Sequence, residues 1–522
     1  MERKWWTLIA VCVGMFMLLL DITVVNVALP EIQRSLHSSF PDLQWVVNAY
    51  ALTLAAFLLT SGAVGDLIGR KRVFVAGLVV FTAASAICGL STSPLMLNLA
   101  RAVQGTGGAM MFATSLALVA QAFHGRERGT AFGVYGAVIG AAVAVGPVVG
   151  GIITSGLGWE WVFFVNVPIG MIAVFITLTQ VADSRDPNAT GADWPGLVTF
   201  SGSLFLLVYA LVQGNEKGWG STEIVSCLAG SAVLIVSFVI VERLQSCPML
   251  DLTLFRVPAF TGANIVAFTL AGSFFAMFLY LTLYIQDVLG YSPLQAGLRF
   301  LPSTVLSFVV APIAGKLSVR VPVRLLMGSG LALIGIGLLT MTTVDAASGW
   351  TVLIPGFVLA GAGVGLVNPP LAATAIGVVP DQRSGMASGI NATFRQVGIA
   401  TGIAGLGAVF QHSVSHGTTA ALQASGHARE ALSAAHGKLA TLLESGEVTQ
   451  VAHSLSPAAR TALDHSYRVG FTEAFTTIAL IAAMVALVGA VLAFALVRGR
   501  DFVTSRQAGG AHEPEPLASP AG

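Results

Sequence analysis

Long apolar runs, broken by short charged clusters, dominate this chain. A helix needs about 20 mostly apolar residues to cross a bilayer. Fourteen runs reach that length, at roughly 7–29, 44–65, 73–92, 95–120, 130–153, 162–181, 195–213, 222–241, 260–285, 297–315, 323–343, 351–377, 385–410 and 471–497. Periodicity does not divide the longest runs; charge clusters and Gly/Pro punctuation place the breaks. In lipid every backbone group must bond internally, so the predicted fold class is all-α and polytopic. Two stretches break the pattern. Residues 411–469 form a polar loop with Ala-rich, partly amphipathic helical pieces. Residues 501–522 are rich in Pro, Gly and Ala and read as a disordered tail.

Composition agrees with the pattern. Of 522 residues, 55% are hydrophobic and 10% are charged, whereas a soluble domain carries about 25% charged residues. Mean hydropathy is +0.82. A soluble enzyme, a disordered scaffold and a nucleic-acid binder are excluded, the last also by a net charge of only +1. Cys12, Cys88 and Cys227 lie in apolar runs and Cys247 in a polar connection, with no CxxC, so neither a disulfide framework nor a zinc site is expected. The polar loop holds His412, His416, His427, His436, His453 and His465, with no pair at a tight ligand spacing, and no metal is assigned. The first run continues past Asp21 without a small-residue cleavage pattern and reads as an uncleaved span.

Charge placement sets the orientation. With the N-terminus inside, Arg3, Lys4, Arg70, Lys71, Arg72, Arg126, Arg128, Arg185, Arg243, Arg256, Lys316, Arg320, Arg324, Arg383, Arg498, Arg500 and Arg506 fall in cytoplasmic segments. Arg34, Lys217, Arg429, Lys438, Arg460 and Arg468 fall outside, and the last four share one long loop, which the positive-inside rule discounts. Fourteen spans with both termini cytoplasmic follow.

Three cations, Arg101, Arg299 and Arg395, remain inside runs. Asp21 is the one acid deep in a span. A carboxylate in an apolar setting resists holding its charge, which suits it to load and release a proton. Arg101 is placed to balance it, and Gln104 stands one turn on. At the end of the second run, Gly62-Ala-Val-Gly-Asp66-Leu-Ile-Gly69-Arg70-Lys71-Arg72 combines a close-packing glycine, a carboxylate at the membrane edge and a glycine turn with three cations. A positive-inside anchor explains the cations but not Asp66. Gly315-Lys-Leu-Ser-Val-Arg320-Val-Pro-Val-Arg324 is a weaker second copy, and recurrence at matching places in two halves marks transporters. Gly146-Pro147 removes a helix hydrogen bond, and Gly150 and Gly151 allow close packing at the bend. Candidate cavity residues are Asn26, Trp45, Tyr50, Gln104, Tyr135, Phe275 and Tyr280, since a bulky amphiphile takes an apolar site with few polar anchors.

These motifs resemble those of the major facilitator superfamily, and within it the fourteen-span drug:proton antiporters. Leu20-Asp21-Ile-Thr-Val-Val-Asn26-Val-Ala28-Leu29-Pro30 resembles the first-span motif of that group, and Leu97-Asn-Leu-Ala-Arg101-Ala-Val-Gln104-Gly105-Thr-Gly107 the fourth-span motif assigned to proton coupling. Gly146-Pro147-Val-Val-Gly150-Gly151 resembles the fifth-span antiporter motif. Pro248-Met249-Leu250-Asp251-Leu252 and Gly290-Tyr291-Ser292-Pro293-Leu294-Gln295-Ala296-Gly297 also look like group signatures. Two departures stand out: Glu160 between Trp159 and Trp161, where relatives usually carry Arg, and Ser318 in place of the acid in the second signature copy. The tenth span has no acid, which argues against dication export.

The resemblance implies two six-helix bundles with two inserted helices. The expected domains are 1–181, an inserted pair within 182–258, a second bundle at 259–497 carrying loop 411–469, and a cytoplasmic tail at 498–522. It also implies a bacterial cytoplasmic-membrane antiporter that exports amphiphilic drugs or antibiotics against protons, in a bilayer, as a monomer and without cofactor. Asp21 and Arg101 would couple protons, Gly62 to Arg72 would gate, and Asp66 would meet a helix terminus or cation across the bundle interface. A dedicated exporter of a self-made metabolite fits the same motifs, and a proton-coupled importer fits them less well. No GxxxxGK[ST], GxSxG or HExxH supports ATP drive or an enzyme.

Overall fold

The computed structural model describes residues 2–123, 125–183, 191, 193–245, 248–318, 320–379, 384–425 and 455–502. Cys247, Arg185, Arg383, Arg429, Lys438, Arg506, His427, His436 and His453 lie outside the described residues, as do loop positions 426–454, the tail from 503 and the side chains of Arg126, Arg128 and Arg500.

Among the described residues, fourteen helices are long and apolar enough to cross a bilayer: α1 (Arg3–Leu36), α2 (Phe40–Ile68), α3 (Arg70–Gly89), α4 (Pro94–Ala122), α5 (Thr130–Leu157), α6 (Trp161–Gln180), α7 (Trp194–Lys217), α8 (Thr222–Leu244), α9 (Pro258–Val288), α10 (Pro293–Leu317), α11 (Val323–Thr343), α12 (Trp350–Gly377), α13 (Met386–Ala424) and α14 (Pro457–Leu496). No strand occurs among the described residues. The number and order match the apolar runs.

Helix starts follow capping chemistry. Ser39, Ser93, Ser221, Ser292 and Ser456 each accept a backbone N–H of the first turn, and Asp193 does so for α7. Each such cap contributes about 1 kcal/mol. Ser39 with Asp42 and Ser292 with Gln295 form reciprocal capping boxes. Prolines inside α1, α5, α10 and α12 are tolerated because neighbouring helices support the freed backbone. In α9 the helix widens to π geometry at Ala271–Phe275 and again at Tyr284–Val288.

The turns reverse the chain at two ends of the bundle, a Gly69 end and a His37 end. His37 closes α1 in the left-handed conformation at φ 50. Helices α1 to α6 pack on one another as one bundle and α9 to α14 as a second. Across the seam α2 lies along α13, and α5 meets the start of α10. The inserted pair stays out of both cores: α7 packs on α8 and lies against α2 and α13. Much of α8 is exposed on its outer face, as expected of a helix that meets lipid.

The long polar loop is shorter than its sequence suggests. Residues 411–424 continue α13 and residues 457–469 belong to α14. The Ala-rich composition explains this, because alanine propagates a helix beyond the apolar run.

Candidate functional site

Asp21 lies midway along α1, with its side chain fully buried. Its Oδ2 accepts Nη1 of Arg101 at 2.5 Å. Its Oδ1 accepts Nε2 of Gln104 at 2.9 Å and Nδ2 of Asn166 at 3.0 Å. Arg101 is spent in the same way: Nη1 also reaches Oε1 of Gln104 at 2.7 Å, and Nε donates to the Val46 carbonyl at 3.1 Å. The Tyr50 ring lies 4.3 Å from the guanidinium carbon. Ser85 accepts from both Gln104 and Asn166 and donates to the Phe163 carbonyl. One carboxylate thereby ties together α1, α2, α3, α4 and α6. Breaking such a buried pair by removing one partner costs about 3–5 kcal/mol.

Glycines bring these groups together. A Cβ at Gly105 would strike Thr53 Oγ1 and the Tyr50 carbonyl of α2, and one at Gly107 would lie 2.6 Å from the Phe81 nitrogen of α3. Gln104-Gly105-Thr106-Gly107 therefore seats α4 backbone-close to both neighbours, which lets Arg101 and Gln104 reach Asp21.

At the Gly69 end, Asp66 pairs with Arg70 one turn on, from Nε at 2.8 Å and Nη2 at 2.7 Å. This corrects the expected partner across the bundle interface: the i, i+4 spacing on one chain end meets the carboxylate first. Arg72 reaches Asp183 after α6 at 3.3 Å, and Lys71 donates to the Leu178 carbonyl at 2.9 Å. Gly69 has φ 121 and leaves no room for a Cβ beside Asp183. The close-packing glycine is Gly65, whose Cβ would lie 2.8 Å from Thr114, rather than Gly62, whose nearest neighbour would be at 3.9 Å. The later Pro248-Met249-Leu250 segment docks at this end. Met249 N donates to Asp193 and Leu250 N to Glu242.

At the His37 end the halves touch through the fifth-span glycines. A Cβ on Gly146 would strike Thr23, and one on Gly150 would lie 3.0 Å from the Val24 backbone, both on α1. Gly151 faces Pro293 and Leu294 at 2.7 Å, and Gly297 faces the carbonyl of Pro147. The fifth-span and tenth-span motifs are thus the two sides of one contact. Gln286 donates to the Val27 carbonyl at 2.8 Å, and Gln44 to the Ile403 carbonyl at 3.0 Å. A continuous apolar core joins the halves here.

The expected cavity residues divide. Asn26 and Phe275 remain partly exposed, although the Asn26 amide donates to the Ile22 carbonyl. Tyr50, Tyr135 and Tyr280 are buried in this conformation. Tyr135 pairs with Ser115 at 2.9 Å, and Tyr280 donates to the Ile403 carbonyl of α13, within the second bundle, at 2.6 Å. Trp45 departs from the expectation: it packs on Phe205 and Tyr209 of α7, at 5.9 and 6.4 Å. Asn166 and Ser85 escaped notice. The signal for Asn166 was an amide in an apolar run just before Pro168; nothing marked Ser85. His412 and His416 do stand one helical turn apart, ring centroids 6.4 Å, beside Glu473. No group of three His, Cys, Asp or Glu side chains is placed to hold a metal among the described residues.

Two helical bundles around a seam, with a buried ion network in one, are the architecture of a membrane transporter. The Major Facilitator Superfamily model matches residues 11–403, and the chain belongs to that family. It is 39% identical over 404 residues to multidrug resistance protein Stp of Mycobacterium tuberculosis, covering 77% of this chain and 75% of that one. It is 34% identical over 413 residues to the tetracenomycin C resistance and export protein of Streptomyces glaucescens, covering 79% and 77%. In fold it is similar to a bacterial homolog of the human lysosomal transporter Spinster, solved inward-facing and occupied. There the TM-score is 0.60, with 16% identity over 96% of this chain and 98% of that one.

Proposed function

We propose that this protein is a proton-coupled antiporter that exports amphiphilic drugs or antibiotics by alternating access, with the Gly69 end facing the cytoplasm and both termini inside. In this reading residues 1–181 and 259–497 are the moving halves, and the pair within 182–258 rides beside the seam. The observation that carries it is the Asp21–Arg101 pair. An ionised Asp21 accepts three donors, and a proton arriving on it cancels the charge that Arg101 pairs with and so weakens that pair. Arg101 also holds α2 through the Val46 carbonyl. Protonation therefore loosens α1, α2 and α4 together, and a rearrangement of helices is what alternation requires.

The contact of Gly151 and Pro147 with Leu294 and Gly297 acts as a latch at the His37 end, and the Asp66–Arg70 pair braces the α2–α3 turn at the other. When the His37 end is closed, the glycines and Gly297 seal it; opening it must separate α5 from α10. The energetics suffice: a proton crossing about 100 mV yields about 2.3 kcal/mol, and each pH unit adds about 1.4 kcal/mol.

The test is substrate-induced proton release from purified protein, together with uphill efflux from vesicles, in the parent and Asp21→Asn. Release and efflux should vanish in the variant. Equal release from both would move coupling elsewhere and leave Asp21 structural. A second reading, a dedicated exporter of a self-made antibiotic, is favoured by the tetracenomycin C export protein among the relatives. A drug-panel susceptibility test in a pump-deleted host separates the two by breadth of protection.

A further inference from the structure

The two halves do not hold their deep cations alike. Arg395 lies about 14 Å along α13 from Met386 at 1.5 Å per residue, near the middle of a hydrocarbon core about 30 Å thick. Its Nη2 donates to Oδ1 of Asn368 on α12 at 3.0 Å. Its guanidinium carbon lies 5.0 Å from the Phe275 ring centroid on α9. It makes no ion pair among the described residues, and Asn368 is its one hydrogen-bond acceptor there. Arg395, Asn368 and Phe275 each stay partly exposed, although they converge from three helices.

The surroundings hold this cation in place. A Cβ on Gly398 would lie 2.5 Å from the Phe268 carbonyl, and one on Gly402 would lie 2.6 Å from the Gly272 carbonyl, so α13 and α9 pack backbone to backbone one turn from Arg395. The π-helical turn Ala271–Phe275 sits at that contact and presents Phe275. Phe275, Phe278 and Phe300 then continue as a stacked aromatic row. In the other half Asp21 already neutralises Arg101. The uncompensated charge at this depth is therefore positive. A guanidinium has five donors in a planar fork that suits a carboxylate, and this fork, partly exposed where three helices converge, has one protein acceptor among the described residues.

We infer that Arg395 anchors an acidic group, a carboxylate or ionised phenol, on a flat aromatic substrate whose rings lie along Phe275 and Phe278. This rests on the export reading and narrows its substrate class to anionic over cationic amphiphiles. Lipid phosphate is the other source of an anion, and mid-bilayer depth sets Arg395 away from headgroups.

The test uses the full chain in a zwitterionic detergent, with anthracene-9-carboxylate, its methyl ester and 9-(aminomethyl)anthracene as probes. Binding is read by tryptophan quenching against empty micelles. The parent should prefer the carboxylate to the ester at least tenfold and bind the ammonium weakest. That preference should collapse toward unity in Arg395→Gln and be partly kept in Arg395→Lys, which retains charge but not the fork. Addition of short-chain phosphatidylglycerol should leave the parent preference intact; competition by that lipid would assign the anion site to lipid and overturn the inference. A parent that binds acid and ester equally, or favours the ammonium, overturns it without any variant. Uphill transport of the carboxylate by parent vesicles, compared with protein-free vesicles under the same pH gradient, tests export separately: its failure sinks the antiport reading, while the binding preference for acid over ester speaks only for Arg395.

Discussion

The N-terminal bundle buries a paired charge, and the C-terminal bundle holds an unpaired one that stays partly exposed. Asp21 and Arg101 satisfy each other and, with Gln104, Asn166 and Ser85, link to three further helices, with side chains 0% and 2% exposed. Arg395 has one amide and an aromatic face. A paired charge serves as a switch, because something must break it. An unpaired charge serves as a receptor, because something must complete it. In the readings proposed above, energy coupling falls to one half and selectivity to the other.

The largest effect should come from Asp21→Asn. Uphill efflux should fall by two orders of magnitude or more in vesicles with an imposed pH gradient, with Asp21→Glu retaining a part. Thermal unfolding sharpens the point. Asp21→Asn strands Arg101 and should lose about 3–5 kcal/mol. The double variant Asp21→Asn/Arg101→Gln should recover most of that melting temperature and none of the efflux. Recovery of efflux would break the assignment of coupling to the pair.

Next in size is the seam. Gly297→Val would drive a side chain into the Pro147 carbonyl. Efflux should fall at least tenfold with normal membrane expression, and a cysteine pair at Ser155 and Leu294, now joined by a hydrogen bond at 3.1 Å, should cross-link less readily. Unchanged cross-linking would mean that the two motifs do not close on each other.

Asp66→Asn should leave expression near normal and cut transport several-fold, as measured by substrate efflux. Parent-like transport would reduce the Asp66–Arg70 pair to a local helix contact. The smallest effect is expected of Trp45→Phe, since that ring packs on the inserted α7 and the replacement keeps an aromatic there. Drug susceptibility should change less than twofold; a tenfold change would bring α7 into the transport path.

The fold was legible because fourteen apolar runs leave a chain few choices in lipid. Asp21, Arg101 and Gln104 were legible for the same reason: ionic and amide groups are costly in such runs and so carry information. Asn166 and Ser85 were not, because uncharged polar groups are common glue in membrane helices. Asn166 is also 145 residues from Asp21 in sequence. Which glycine packs closely was hidden too. Gly62 and Gly65 lie on the same stretch, and only the neighbour at Thr114 distinguishes them. Trp45 misled because an aromatic in a span carries no mark of the surface it meets.

The lengths of α13 and α14 have a practical side. At 39 and 40 residues each extends about 60 Å at 1.5 Å per residue, while the hydrocarbon layer takes about 30 Å. Both therefore project well past the lipid at the His37 end, where His412, His416 and Glu473 are exposed. Most of this molecule offers nothing for an antibody to grip. This paired stem does, and in the orientation proposed here it stands on the outer surface of the cell. A binder raised against it could mark or jam the transporter without crossing the membrane.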